Sequence, residues 1–439
     1  MGVMLQAFYW DCPGVESREH QWWEEIKNRI PALQQVGFTA LWLPPISKAA
    51  SLKSMGYDPY DYYDLGELDQ KGGERTWFGS KDELLALIQT AHAYGMQVYA
   101  DLVFNHNNGA DDQEQNPIDG KMRWTKFQPA SNKFVRNWTC FHPSLYEQWD
   151  DALFGDMPDL CHRNPRVYVQ LIRYAKWLLE TIGFDGFRYD MVKGYGAWMV
   201  RAIQELRALR DGRAFKPYGV GECWDSDRTI EDWLCEANAW SDNPVSAFDF
   251  PLRGRLRDLC DNQGFSLRNL RPQPQTLLYD RPAETVTFVE NHDLARDSPI
   301  INDKMLAYAF ILTHEGYPCV FWQDYFNWNL AQEGNGIAAL VRVHEKYAGG
   351  ATRILYVDDN LYVMQRDGVE PQHGLVLVLN NRNTWNGVWV QTRWNSTRLS
   401  AEAWRGSNDT GVPADKWTDE NGWTELWAPP RGYSVYIPK

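Results

Sequence analysis

The 439-residue chain has no Cys-x-x-Cys pair and no surplus of cations. Nor does it hold an apolar run approaching the ~18–20 residues of a membrane-spanning helix. Each absence closes off a class of function. The seven cysteines (Cys12, Cys140, Cys161, Cys223, Cys235, Cys260 and Cys319) are odd in number and widely spaced, which suits free thiols better than a disulfide framework. Lys and Arg total 44 against 58 Asp and Glu, a formal net charge of −14. That sign argues against nucleic acid and anionic membranes as partners and favours a neutral substrate or a bound cation. The opening "MGVMLQAFYWD" reads as a strand without a basic segment and apolar core, so no export signal is read there. The expectation is a cytoplasmic protein, or a secreted one if a leader has been cleaved. Aromatic residues, by contrast, are plentiful. With 22 Trp, 22 Tyr and a mean hydropathy of −0.53, not every ring can sit in an apolar interior, and flat rings with polar edges suit the faces of sugars.

Short strand-like runs alternate with helical patterns from the start of the chain. The strand candidates are "MLQAF" (4–8), "ALWLPP" (40–45), "QVYADLVFNH" (97–106), "GFRYD" (186–190), "YGVGE" (218–222), "AFDFP" (247–251), "TVTFVENHD" (285–293) and "PCVFW" (318–322). Between them lie amphipathic stretches such as 22–37, 80–95 and 165–183, each closed by a glycine, and Ser80 with Glu83 has the form of a capping box. Eight such units predict an α/β fold, a parallel eight-stranded (β/α)8 barrel with its chemistry at the C-terminal strand ends. Residues 106–164 are rich in Asn, Asp, Trp and Pro and far too long for an ordinary connection, which predicts a small inserted domain after the third strand. After residue 350 the pattern changes to alternating strands with turn signals, predicting a C-terminal antiparallel β-sandwich. The expected domains are therefore 1–105 and 165–349 for the barrel, 106–164 for the insertion and 350–439 for the sandwich.

Polar clusters fall at four of the expected strand ends. The third ends with Asp101, Asn105 and His106, the fourth with Arg188 and Asp190, the fifth with Glu222, and the seventh with Asn291, His292 and Asp293. On an extended strand residues i and i+2 share a face, so Arg188 and Asp190 project together while Phe187 and Tyr189 take the other side. One strand-end acid alone is commonly a helix cap. Three, at Asp190, Glu222 and Asp293, would converge on one barrel mouth, and paired carboxylates are what glycoside hydrolysis requires. Arg188 would hold the carboxylate of Asp190 ionised and oriented.

The segments "DLVFNH", "GFRYDMVKGYG", "VGECWD" and "FVENHD" occur in the order and approximate spacing of the four signature regions of glycoside hydrolase family 13, the α-amylase family. "GYDPYDYYDLGELDQKG" (56–72) and "AYAFILTHEGYPCVFW" also resemble family segments, and the likeness runs through the whole chain, with stretches such as "TIGFDG" and "KGYGAW" nearest to archaeal and plant members. The resemblance implies Asp190 as nucleophile, Glu222 as general acid/base and Asp293 as transition-state stabiliser. It places Arg188, His106 and His292 around the sugar at the cleavage point, Tyr57 stacked on its face, and Lys193 and Trp224 on the leaving-group side. It implies a structural Ca²⁺ held by Asn105, Asp150 and Asp159 with backbone carbonyls at Ala152 and Gly194. Oxygen donors of this kind suit that ion.

It also leaves open a second metal at His142, Glu147 and Cys161, where Glu147 stands in place of a histidine of the archaeal type. Leu294 replaces a more usual threonine after Asp293. The implied activity is an endo-acting, retaining hydrolysis of internal α-1,4 bonds in starch, glycogen and maltooligosaccharides by a monomer. The alternatives are a transglycosylase or maltooligosaccharide hydrolase on the same scaffold, and a catalytically silent carbohydrate-binding protein. The Trp-rich tail from Trp385 to Trp427 could in addition hold a surface site for polysaccharide.

Overall fold

The computed structural model describes residues 2–14, 18–149, 153–271, 276–332, 335–407 and 411–439. Its eight parallel strands are β1 (Val3–Gln6), β2 (Phe38–Trp42), β3 (Gln97–Leu102), β4 (Gly186–Tyr189), β5 (Tyr218–Gly221), β6 (Ser246–Phe248), β7 (Thr285–Phe288) and β8 (Tyr317–Phe321). They close a barrel in the order β1-β8-β7-β6-β5-β4-β3-β2. Each expected strand is present, but the sequence reading runs them too far at their C-terminal ends. Asn105 and His106 lie three and four residues beyond β3, and Asp293 lies five beyond β7. The ladders stop before the polar residues that close these runs, so Asn105, His106 and Asp293 sit on the loops that follow.

The chain divides into two compact units, one of Met1–Tyr9, Gln35–Thr39 and Asp249–Lys439, the other of Trp10–Gln34 and Ala40–Phe248. In the second unit β3, β4 and β5 are paired in register, with Asp101 opposite Arg188 and Val220 opposite Arg188 on the other side. The cation of β4 is thereby carried between two strands whose ends also hold acids. Helix α1 (Lys81–Ala93) starts as its sequence predicts. Ser80 Oγ accepts the Glu83 N–H and the Ser80 N–H donates to Glu83 Oε2 at 2.8 Å, a reciprocal cap of a kind in which losing the serine costs ~1 kcal/mol. Helix α2 (Pro165–Trp177) begins with Asn164 as its cap and Pro165 in the first turn, where no amide hydrogen is needed.

The long stretch after β3 folds around a hairpin of Asp112–Gln115 against Met122–Lys126. Its anchor is Arg136, 2% exposed, which donates to the carbonyls of Phe134 and Tyr60 and lies 4.4 Å from the ring centre of Phe127. It returns to the barrel through bridges pairing His106 with Asp159 and Phe141 with Leu160.

In the first unit, β7 and β8 pair in parallel, as do β8 and β1. The C-terminal strands are β9 (Thr352–Val357), β10 (Leu361–Arg366), β11 (Leu375–Asn380), β12 (Asn386–Gln391), β13 (Arg398–Arg405), β14 (Lys416–Trp417), β15 (Trp423–Ala428) and β16 (Gly432–Pro438). Six form one antiparallel sheet, β9-β10-β11-β16-β13-β14, and β12 pairs with β15 in a second. Leu361, Val363, Val376, Val378 and Tyr436 of the large sheet share a buried cluster with Val390, Leu426 and Ala428 of the small one. Two layers enclosing one apolar core make the expected sandwich.

Candidate functional site

The central group of the second unit is the guanidinium of Arg188, 1% exposed. Its Nη1 donates to Asp101 Oδ1 and to Asp190 Oδ1, each at 2.7 Å, and its Nη2 lies 2.6 Å from Glu222 Oε1. One cation thus joins acids from the ends of β3, β4 and β5, which the sequence spreads over more than a hundred residues. Burial works against its charge, yet the facing carboxylates Asp101 and Glu222, with further contributions from Tyr57 and Asp190, raise its pKa well above the ordinary arginine value. The second oxygens of Asp101 and Glu222 also accept hydrogen bonds. The Tyr57 hydroxyl and the Trp42 indole N–H both donate to Asp101 Oδ2, at 2.8 and 3.1 Å, and the Met191 N–H donates to Glu222 Oε2 at 3.2 Å. The rings of Trp42 and Tyr57 lie 5.2 and 5.7 Å from the guanidinium carbon, close enough for cation–π attraction.

Asp101 was legible only as a strand-end residue, with no role attached to it. Its buried setting pushes its pKa up to about 6 despite the opposing pull of Arg188. An acid raised in the folded state holds its proton more tightly there than in the unfolded chain, so the stability it contributes is full below pH ~4 and is lost as pH rises through about 6. The unfolding free energy of wild type relative to Asp101→Asn is therefore expected to decline between pH 4 and 6.5 and to level above. Paired denaturant titrations across that window check the sign, and a difference that grows with pH contradicts it.

His106, 1% exposed, donates from Nε2 to the Tyr57 carbonyl at 2.8 Å and stacks on Phe154 with ring centres 4.6 Å apart. Burial lowers its pKa, so the ring is neutral at ordinary pH. Lys193 and Trp224 are the exposed members of the expected set. Lys193 Nζ lies 3.0 Å from Asp225 Oδ2, and the Trp224 ring is 44% exposed.

In the first unit, His292 is 2% exposed and Gln6 Nε2 donates to its Nδ1 at 3.0 Å. The proton then resides on Nε2, which faces Asp293 Oδ2 at 3.2 Å. Phe8 lies beside the imidazole, with ring centres 5.0 Å apart. Asn291 Oδ1 accepts the N–H groups of Asp293 and Leu294 at 3.1 and 2.8 Å, which fixes the turn that carries Asp293, and Arg296 approaches Asp293 Oδ1 at 3.5 Å. Leu294, the departure after Asp293, is buried. The role of Gln6 was missed by sequence reading, its only signal being a polar residue inside the strand "MLQAF".

Of the expected cation ligands, Asn105, Asp159 and Gly194 are described, while Asp150 and Ala152 lie outside the described residues. The Leu160 N–H donates to the Asn105 carbonyl at 2.9 Å, bringing the Asp159 segment alongside Asn105. A Cβ at Gly194 would strike the Asn105 side-chain oxygen, so only glycine permits this approach. Asp159 Oδ2 accepts from His142 Nδ1 at 2.7 Å, but its Oδ1 is buried with no hydrogen-bond partner among the described residues. A buried carboxylate oxygen left bare is costly unless a cation meets it, so these oxygen donors fit Ca²⁺. His142, Glu147 and Cys161 are also brought together, with donor atoms within 4.8 Å of one another. His142 Nε2 lies 3.6 Å from Glu147 Oε2, beyond hydrogen-bond reach, and Ser144 Oγ donates to Cys161 Sγ at 3.0 Å.

The family model described as "Alpha amylase, catalytic domain" matches residues 21–329, and that described as "Alpha-amylase C-terminal" matches 375–437. The chain belongs to the α-amylase family. It is 30% identical to an α-amylase of Geobacillus stearothermophilus, an alignment covering 100% of this chain and 87% of that one. It is 28% identical to the probable α-amylase 2 of Arabidopsis thaliana, over 82% of this chain and 84% of the other. Among solved structures, an α-amylase from Geobacillus thermoleovorans complexed with acarbose matches with a TM-score of 0.69 at 20% identity, covering 100% and 98% of the two chains. A cyclomaltodextrin glucanotransferase with three domains matches at 0.69 and 19%, covering 100% and 99%. This family of glycoside hydrolases carries the barrel-plus-sheet architecture described above, and the Arg188 cluster lies within the matched catalytic domain.

Proposed function

We propose that the protein is an endo-acting, retaining α-amylase that hydrolyses internal α-1,4 bonds of starch, glycogen and maltooligosaccharides. The observation that carries the reading is the single guanidinium of Arg188 bound to both Asp190 and Glu222. Acids on one guanidinium suit the short carboxyl separation of ~5–5.5 Å that a retaining hydrolase uses. Asp190, kept ionised by Arg188, attacks the anomeric carbon while Glu222 protonates the departing glycosidic oxygen. Water activated by the resulting Glu222 carboxylate then releases the sugar with its configuration retained. Asp293, oriented by Asn291 and by the Nε2 proton of His292, stabilises the oxocarbenium-like transition state. Tyr57 stacks on the sugar at the cleavage point beside Arg188, His106 and His292, while Lys193 and Trp224 meet the leaving-group side.

The test is the time course of products from soluble starch. Long maltooligosaccharides appearing first, in the α-anomeric form, are expected. Maltose alone from the outset, or new linkages in the products, would overturn endo-hydrolysis.

The same reading assigns a structural Ca²⁺ to Asn105, Asp159 and the Gly194 carbonyl, together with Asp150 and the Ala152 carbonyl. When bound, the ion neutralises the bare oxygen of Asp159 and ties the inserted segment to the loop after β4. Exhaustive chelation is expected to lower the melting temperature and the activity together, with calcium restoring both. Unchanged melting after verified metal removal contradicts the assignment.

A further inference from the structure

The loop that carries Asp293 leaves β7 at Val289 and turns back at Ile300, and both of its limbs are held by side chains to which the proposed chemistry gives no part. Arg253 lies on helix α3 (Phe250–Asp261) and is 4% exposed. Its Nε donates to the Val289 carbonyl at 3.2 Å on the outgoing limb, and its Nη2 donates to the Ser298 carbonyl at 2.6 Å on the returning one. The same Nη2 also donates to Glu290 Oε2 at 2.9 Å. Glu290, 1% exposed, crosses the neck of the loop from the other side, since its Oε1 accepts the Ile300 N–H at 2.6 Å. Behind it Lys304 Nζ, at the start of helix α4 (Lys304–Ile311), lies 3.3 Å from that oxygen and 2.8 Å from Asp324 Oδ1. The second oxygen of Asp324 accepts the Tyr308 hydroxyl at 2.5 Å, and the Lys304 ammonium lies 3.7 Å from the centre of the Trp328 ring. Two cations and two carboxylates are thus buried together at the base of one loop.

We propose that Arg253 and Glu290 are positioning residues for Asp293, fixing the neck of its loop and with it the place of the carboxylate that faces the transition state. The proposal rests on the reading of Asp293 as the stabiliser of that state. The mechanical link is short. The Ser298 N–H donates to the Leu294 carbonyl and the Asp297 N–H to the Asp293 carbonyl, each at 2.8 Å, a single helical turn whose far end Arg253 holds. At the near end Glu290 directly precedes Asn291, the residue that sets the turn before Asp293. A guanidinium suits the task because its planar fork can hold two carbonyls and a carboxylate in fixed directions, which an ammonium cannot. Stability alone gives a poor account of the arrangement. Desolvation offsets much of the attraction between buried charges, and apolar side chains of like volume often serve a core as well or better. What the charges supply is direction. A misplacement of ~1 Å at a reacting centre can cost up to ~100-fold in rate, so direction at this neck is read out as turnover.

A double-mutant cycle on a blocked maltooligosaccharide, with melting temperatures recorded beside it, tests the proposal. Arg253→Met is expected to lower kcat about tenfold or more, with KM within about twofold. Glu290→Gln, whose single amide oxygen cannot meet both the Ile300 N–H and Arg253, is expected to do the same. The decisive comparison repeats Arg253→Met in an Asp293→Asn background. If Arg253 acts through that carboxylate the two losses overlap, and the added cost is expected to be less than about twofold. An equal fractional loss in both backgrounds would make the network a general support of the fold and overturns the proposal, as does undiminished kcat in a folded Arg253→Met. Should that variant not fold, Arg253→Lys keeps a cation beside Glu290 without the fork. It is expected to melt near wild type and still to lose kcat about threefold or more, again only where Asp293 is present. Wild-type kcat in Arg253→Lys overturns the proposal. Wild-type kcat in Asp293→Asn itself would instead refute the role given to Asp293, and the positioning role would fall with it.

Discussion

Glu222→Gln is expected to lower kcat on a maltooligosaccharide with an alcohol leaving group by ~10²–10⁴-fold, the usual contribution of a positioned general acid. The amide keeps the shape of the side chain, but its one oxygen can face either the Met191 N–H, 3.2 Å from Oε2 in the wild type, or Arg188 Nη2, 2.6 Å from Oε1, and its NH2 then opposes the other donor. The loss therefore combines proton transfer with a disturbed contact. A substrate whose leaving group needs no proton, such as an α-maltosyl fluoride, separates the two roles. The first step on the fluoride is expected to be far less impaired than on the alcohol. Equal losses on both would make Glu222 a positioning residue, and no loss on either would remove it from the mechanism.

Arg188 carries the second large effect, because three acids depend on it. Asp101, Asp190 and Glu222 lie within 2.6–2.7 Å of its nitrogens and the residue is almost wholly buried. Arg188→Leu leaves these carboxylates facing one another without a cation, and breaking a buried pair in this way costs about 3–5 kcal/mol. Activity is expected to fall with stability, since Asp190 loses the charge that keeps it an anion. Arg188→Lys is the informative companion. Its ammonium restores a positive charge but cannot reach partners from two nitrogens of a planar fork, so stability is expected to recover more than kcat. Denaturant unfolding beside steady-state kinetics checks this split, and an Arg188→Lys variant of wild-type kcat contradicts the view that geometry matters as well as charge.

How far such an account can be read without coordinates depended on sequence distance. Arg188 and Asp190 are two residues apart at the end of β4, so their contact follows from the two-residue repeat of an extended chain. The Ser80–Glu83 cap was equally local. The hydrogen bonds that give Asp101 its role cross 44 residues to Tyr57 and 59 to Trp42, and Gln6 reaches His292 across 286. No local spacing announces such pairs. The barrel was legible because each apolar run was short and followed by a helix. The strand ends were not, because the chain stays buried after the ladder has stopped, as in 289–292 beyond β7. In the Trp-rich tail, composition alone could not separate rings that fill the sandwich from rings on its surface. The register of β12 with β15 made that separation.

The central claim is that, of the three acids on Arg188, Asp190 attacks the sugar. A fluorinated maltosyl fluoride that forms its glycosyl ester quickly and loses it slowly, followed by proteolysis and mass spectrometry, locates the bond directly. The account predicts one maltosyl unit per chain, on the peptide carrying Asp190, with no labelling of Asp190→Asn. A label on Glu222 or Asp101, or complete turnover with no covalent species and β-anomeric product, would contradict it.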